Sequence, residues 1–117
     1  MAKFTVEYFE KADGTYPAEE FILAQDVKMR AKLIRLLTLL ELEGNNLREP
    51  YSKNIGDGIY EIRAIQGSNI TRVLYFFVVG HKIILTNGFV KKTNKTPDSV
   101  KDIAKKYRAE YQQREGK

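Results

Sequence analysis

The sequence predicts an α+β domain in which helices pack on a mostly antiparallel sheet, in the order β-α-α-β-β-β-α. Three observations carry this. An alternating segment opens the chain, three strand-like runs separated by short turns fill residues 59–90, and helical periodicity appears on either side of those runs. At 117 residues the chain is the size of one domain, and neither an internal repeat nor a linker composition divides 1–117.

From Lys3 to Glu10, Phe4, Val6 and Tyr8 alternate with Thr5 and Glu7, the pattern of a strand with one buried face. Asp13-Gly14 breaks it. Pro17 suits the first turn of a short helix carrying Phe21, Ile22 and Leu23, and Glu19 and Glu20 suit its positive end. Asp26 is placed to cap a longer helix whose Met29, Leu33, Leu36, Leu37 and Leu40 recur at helical spacing, with Gly44 as its stop. The short link suggests that the two helices form an antiparallel pair.

Residues 44–58 read as a polar loop. Ile59–Ile65 alternates again, Gln66–Asn69 turns, and Ile70–Val79 is nearly all apolar, as a central strand buried on both faces would be. Gly80-His81 turns the chain into a last strand, Lys82–Val90, in which Gly88 marks a bulge or a close approach. The short turns make a meander. Thr96 is the expected cap and Pro97 the first residue of a final helix, with Val100, Ile103, Ala104, Tyr107 and Tyr111 on its docking face.

Composition excludes several classes of function. The longest apolar run, Val73–Val79, has seven residues, far short of the roughly 20 that a spanning helix needs. The N-terminal stretch has charges at Lys3 and Glu7 in place of a signal-peptide core, so a cytoplasmic location and no membrane partner are expected. With no cysteine there is no disulfide, thiolate nucleophile or thiolate metal site, and a single histidine, His81, rules out a multi-histidine metal centre. No cofactor-binding motif is present. His81, in a turn, reads as an ordinary exposed residue.

The charge is unevenly placed. Residues 1–90 hold 11 basic and 11 acidic side chains, whereas residues 91–117 hold 9 basic and 4 acidic ones, and so all of the net +5. Such an end is either a solvated basic tail or the footprint of a polyanion partner. Arg63 and Arg72 interrupt otherwise apolar strands, and two readings stand for them. One is an edge or wet-face position; the other is a basic groove on the open face of the sheet, completed by Lys91 and Lys92 with Lys95 beyond.

The segments Tyr60-Glu61-Ile62-Arg63, Thr71-Arg72-Val73-Leu74-Tyr75-Phe76, Asn87-Gly88-Phe89-Val90-Lys91-Lys92-Thr93 and Lys95-Thr96-Pro97, taken together and in this order, resemble the RelE/ParE superfamily of bacterial toxins. The HigB-like, phage Gp49-like branch is the nearest. The resemblance implies a RelE-like fold and the toxin of a type II toxin–antitoxin pair. Such a toxin is a ribosome-dependent, metal-independent mRNA endoribonuclease, in which the mRNA 2′-hydroxyl attacks the adjacent phosphate. It implies no cofactor, and it implies a helix-turn-helix antitoxin as partner, with operator DNA reached only through that antitoxin.

By position, the resemblance makes Arg63, Arg72, Lys91 and Lys92 the catalytic residues, with Lys95 a weaker match that contacts RNA. Preorganised cations suit a reaction whose transition state gathers negative charge on phosphate oxygens. If the apolar stripe of the last helix docks on the sheet, Lys101, Lys105 and Arg108 face outward and are expected to contact ribosomal RNA phosphates. The alternative keeps the fold without ribonuclease activity, as a gyrase-targeting ParE-like toxin or an antitoxin-binding co-repressor subunit.

Overall fold

The computed structural model describes residues 3–115. Its elements are β1 (Thr5–Tyr8), α1 (Pro17–Leu23), α2 (Val27–Glu43), β2 (Ser52–Gly56), β3 (Ile59–Gln66), β4 (Asn69–Val78), β5 (Lys82–Lys91) and α3 (Asp98–Arg114), with one 3-10 turn at Gly44–Asn46. The five strands form one sheet in the order β1-β5-β4-β3-β2. β1 joins β5 in parallel and every other pairing is antiparallel. Among the described residues no helix is long and apolar enough to cross a membrane.

The predicted helix ends hold at α1 and α2. Pro17 begins α1 with Glu19 and Glu20 in its first turn. The Asp26 carboxylate accepts the Met29 N–H at 2.8 Å and starts α2, and Gly44 closes α2 at φ 52°. A side chain at Gly44 would also collide with the Phe4 ring. Instead of pairing chiefly with each other, α1 rests mainly on β5 and touches α2 only slightly.

Alternation along the strands builds two cores. Ile62, Ala64, Val73, Tyr75, Ile83 and Leu85 face α1 and α2, where they meet Ile22, Met29, Leu33, Leu37 and Leu40. Ile59, Leu74, Phe76 and Ile84 face the other way and pack with Ala104, Val100, Tyr107 and Tyr111 of α3. β4 therefore contributes to both cores, which is why it is nearly all apolar. Each large side chain so buried contributes roughly 1.5–3 kcal/mol. The sheet thus has a helical layer on each face and no broad open side.

Three sequence expectations need correction. Residues 44–58 contain a fifth strand: β2 is a short edge strand whose only buried residue is Ser52, so it shows no apolar run. Pairing with β3 and a buried 2.5 Å hydrogen bond between the Ser52 and Tyr75 hydroxyls hold it. Burial pushes the Tyr75 phenol up to about 12. The sequence signal for β2 is Asp57-Gly58, whose φ values of 59° and 78° are those a two-residue hairpin turn of type I′ requires. Secondly, Thr96 does not cap α3; Pro97 occupies that position without a side-chain bond, and Thr96 is turned inward. Thirdly, Ile103 lies outside the docking face and is 42% exposed.

Gly88 is where the expected irregularity occurs. The β4–β5 register slips between Val73 and Tyr75, beside the Val73–Gly88 pair. A Cβ on Gly88 would stand 2.3 Å from the Phe21 ring and 2.8 Å from the Arg72 carbonyl oxygen. Gly88→Ala should therefore destabilise the fold by about 1–3 kcal/mol through overpacking. Urea unfolding checks this, and an unchanged midpoint would show that α1 gives way freely.

Candidate functional site

Arg63 and Arg72 sit directly opposite each other in the β3–β4 register. Both point to the face that α3 covers, on the part of it beyond the start of that helix. There the segment from Lys92 to Pro97 crosses the sheet in place of a helix. Phe89, the β5 partner of Arg72, lines the same position.

One carboxylate organises the cluster. Glu61 lies two residues before Arg63, hence on the same face of β3. Its Oε2 is 3.3 Å from Arg63 Nε and 3.4 Å from Arg72 Nε. Its Oε1 accepts a hydrogen bond from the Thr96 hydroxyl. The two nitrogen–oxygen separations are long for hydrogen bonds, so the attraction is largely Coulombic. Glu61 and Arg72 are both fully buried, and the Arg63 side chain is 12% exposed.

The arginines in turn hold the crossing segment. Arg72 Nη2 donates to the Thr93 carbonyl, and Arg63 Nη2 donates to the Asn94 carbonyl at 3.2 Å. The Arg72 guanidinium also lies 4.9 Å above the centre of the Phe89 ring, a cation–π contact. Burial draws the Arg72 pKa below its ordinary value, Glu61 opposes that shift, and the neighbouring Arg63 adds to it.

Neither sequence reading of Arg72 describes this arrangement. It is not on a wet face or edge, and it does not line an open groove; it is an internal cation sealed by the Lys92–Pro97 segment. The physical reason is Glu61, which makes burial of a guanidinium tolerable by pairing it.

The lysines occupy the outside of the same region. Lys91, Lys92 and Lys95 are exposed, and among the described residues none of them makes a salt bridge. Lys91 ends β5 and shares a face with Phe89 by strand alternation. Lys95 lines a surface pocket of about 410 Å³ together with Lys53, Lys101, Asn94 and Asp98. Lys53 was not legible as a site residue because its strand was hidden in an apparent loop.

Lys101, Lys105 and Arg108, expected to face outward toward RNA, are half-buried and engage the β2–β3 turn. Asp57, in the β2–β3 turn, lies 2.9 Å from Lys101 Nζ and 3.4 Å from Lys105 Nζ. Arg108 donates to the Asp57 backbone carbonyl. The two ammonium groups, Lys101 first, hold the Asp57 carboxyl below the usual carboxylate range. A charge on one helix face finds its partner here on a turn more than 40 residues earlier, a pairing that helical periodicity does not report.

His81 stands at the opposite end of β4, stacked 4.9 Å from the Phe4 ring. Among the described residues no group of three or more His, Cys, Asp or Glu side chains is placed to hold a metal ion. A family model described as phage derived protein Gp49-like matches residues 20–109, a span that includes both arginines, Glu61 and the lysine-bearing segment. No curated protein matches the chain.

Removing the shared carboxylate leaves two guanidinium groups facing each other in the interior. Glu61→Ala should therefore cost about 3–5 kcal/mol in urea unfolding. The double variant Glu61→Ala with Arg72→Met should regain part of that loss, since the stranded charge goes with its partner. A single variant of nearly wild-type stability would mean that the carboxylate does not organise this region.

Proposed function

The chain belongs to the phage-derived Gp49-like family, a RelE/ParE-like toxin family, and from that premise we propose that it is the toxin of a type II toxin–antitoxin pair, acting as a ribosome-dependent mRNA endoribonuclease. The observation that supports this reading is the stack of an exposed lysine set over a buried ion cluster. Arg72 and Arg63 fix the backbone at Thr93 and Asn94, and that same stretch carries Lys91, Lys92 and Lys95 into solvent.

In the proposed reaction the 2′-hydroxyl of one mRNA nucleotide attacks the adjacent phosphorus, and the P–O bond to the following 5′-oxygen breaks. The products are a 2′,3′-cyclic phosphate and a 5′-hydroxyl end. The hydroxyl proton leaves as the nucleophile attacks, and one proton goes to the departing oxygen. Negative charge on the phosphate oxygens peaks between these events. Lys91, Lys92 and Lys95 stabilise it, without an obligatory metal, and the backbone between them is held at Thr93 and Asn94 before substrate arrives.

Arg72 and Arg63 serve this reading as the residues that shape the segment. Arg72 is buried, so it contributes field and geometry, while the partly exposed Arg63 is nearer to solvent. Lys53, at the rim of the pocket beside Lys95, is added as an RNA contact, and Lys101, which lines the same pocket, is kept as one. Lys105 and Arg108 act chiefly as ties to Asp57. The reading implies a cytoplasmic site of action, and as partners the ribosome, mRNA and a helix-turn-helix antitoxin that alone reaches operator DNA.

Purified protein added to translating ribosomes, followed by mapping of mRNA ends, tests the activity. Lys91→Ala, Lys92→Ala and Lys95→Ala should each slow cleavage, by roughly a hundredfold for a group that contacts the developing charge. Thermal stability should stay near wild type, since all three side chains are exposed. Intact mRNA under these conditions would overturn the ribonuclease reading, and cleaved DNA with gyrase would replace it by the ParE-like one.

Asp57→Asn provides a separate check on the helix. It releases Lys101 and Lys105 from their acidic partner. Ribosome binding should then tighten and its salt dependence steepen, by roughly one unit of slope for each new phosphate contact. An unchanged slope would confine both lysines to holding the turn.

A further inference from the structure

We infer that the groove between α2 and the outer edge of β3 is a docking site for an extended acidic, amphipathic segment of a partner protein. The partner's identity as the antitoxin rests on the function proposed above; the chemistry of the groove does not.

The groove encloses about 530 Å³ and has two kinds of lining. Lys32, Arg35 and Arg63 supply three cations, and no acidic residue lines it. Among the described residues Arg35 makes no salt bridge. The floor is aliphatic: Leu36 and Leu39 from α2, with Ile65 from β3, which is 57% exposed. An apolar floor under a rim of cations with no acidic residue in the lining complements a segment that alternates apolar side chains with carboxylates.

The strand edge gives the occupant its form. β2 stays paired with β3 only as far as Ser52 and Ile62, and the last link is the Arg63 N–H to the Tyr51 carbonyl at 2.9 Å. From Ala64 onward no strand covers the outer edge of β3. Lys32 donates to the Ile65 carbonyl at 2.8 Å, as a lysine guarding an open edge does. An extended segment can displace that contact, pair with the edge and offer Lys32 a carboxylate in exchange.

Two other occupants fit less well. RNA would use the cations and could stack on the exposed Tyr51, but it has no use for an aliphatic floor of Leu36, Leu39 and Ile65. A symmetric second copy would set Lys32 and Arg35 against their own counterparts, which repels. Arg63 is common to this groove and to the Glu61 cluster, so the docked segment would lie beside the lysine-bearing segment.

A short labelled peptide alternating Glu with Leu and Phe is the probe, titrated by fluorescence anisotropy into the full chain. Arg35→Glu and Ile65→Asp alter exposed side chains, and circular dichroism confirms that each variant is folded. Each should weaken binding by roughly tenfold. Lys106→Glu, an exposed charge change on α3, should leave it nearly unchanged. The same peptide with Lys for Glu should bind Arg35→Glu better than it binds wild type.

Equal weakening by Lys106→Glu would reduce the effect to net charge and overturn the assignment. Displacement of the peptide by oligouridine, with the same two variants weakening the RNA, would make the groove a nucleic-acid site instead. A change of oligomeric state with Ile65→Asp would make it a self-association surface. The titration is independent of toxicity: a chain that leaves mRNA whole on ribosomes but binds the peptide through Arg35 and Ile65 loses the proposed activity and keeps this docking site.

Discussion

Two guanidinium groups share one carboxylate inside this protein, and the surface above them takes its shape from that arrangement. Arg72 has no access to solvent, so its charge must be met internally, and Glu61 is the only acid on its face of β3. The Thr96 hydroxyl and the Thr93 and Asn94 carbonyls then complete the shell. All three belong to one segment between β5 and α3. The need to satisfy a buried cation thus fixes a length of chain that has neither helix nor strand of its own to order it. Lysines carried on such a segment have their backbone positions set in advance, which lowers the ordering cost of charge recognition.

The remaining charge is divided by the same rule of pairing. The net +5 arises from the C-terminal quarter of the chain, but part of it meets Asp57 in the β2–β3 turn. That contact joins the end of the chain to an edge hairpin and shares the work of docking α3 with Val100, Ala104 and Tyr107. Among the described cations that make no salt bridge are Lys91, Lys92 and Lys95, at and just beyond the end of β5, and Lys32 and Arg35, on the α2 side of the β3 edge. The pocket beside the first group is lined chiefly by charged and polar residues and the second has an aliphatic floor, so the two suit different classes of partner.

Residue patterns alone were enough to place β1, α1, α2, the β3–β4–β5 meander and α3, because each of these buries one face or both, and burial imposes a period. They also marked Asp26 and Gly44 as helix ends and Gly88 as a position of crowding. They were not enough for β2, whose stability comes from its neighbour and from Ser52 bonded to Tyr75, with almost no apolar pattern of its own. Asp57-Gly58 was the visible trace of that hairpin.

For the candidate site, sequence determined which residues were unusual, and tertiary structure decided what each one does. Arg63, Arg72 and the lysines stood out because charge is rare inside apolar strands and because positive charge crowds the end of the chain. Whether a strand arginine is wet or buried depends on a partner, and the partner's identity is a matter of register. Glu61 reaches Arg72 across strands, and Thr96 reaches Glu61 from a segment 35 residues away. Asp57 reaches Lys101 and Lys105 from the β2–β3 turn, more than 40 residues earlier in the chain. Periodicity records which side of an element is apolar, a local property of the chain; it carries no term for which charge on a distant element comes to lie within a few ångströms, and for this protein that distance alone separates a free cation from a buried one.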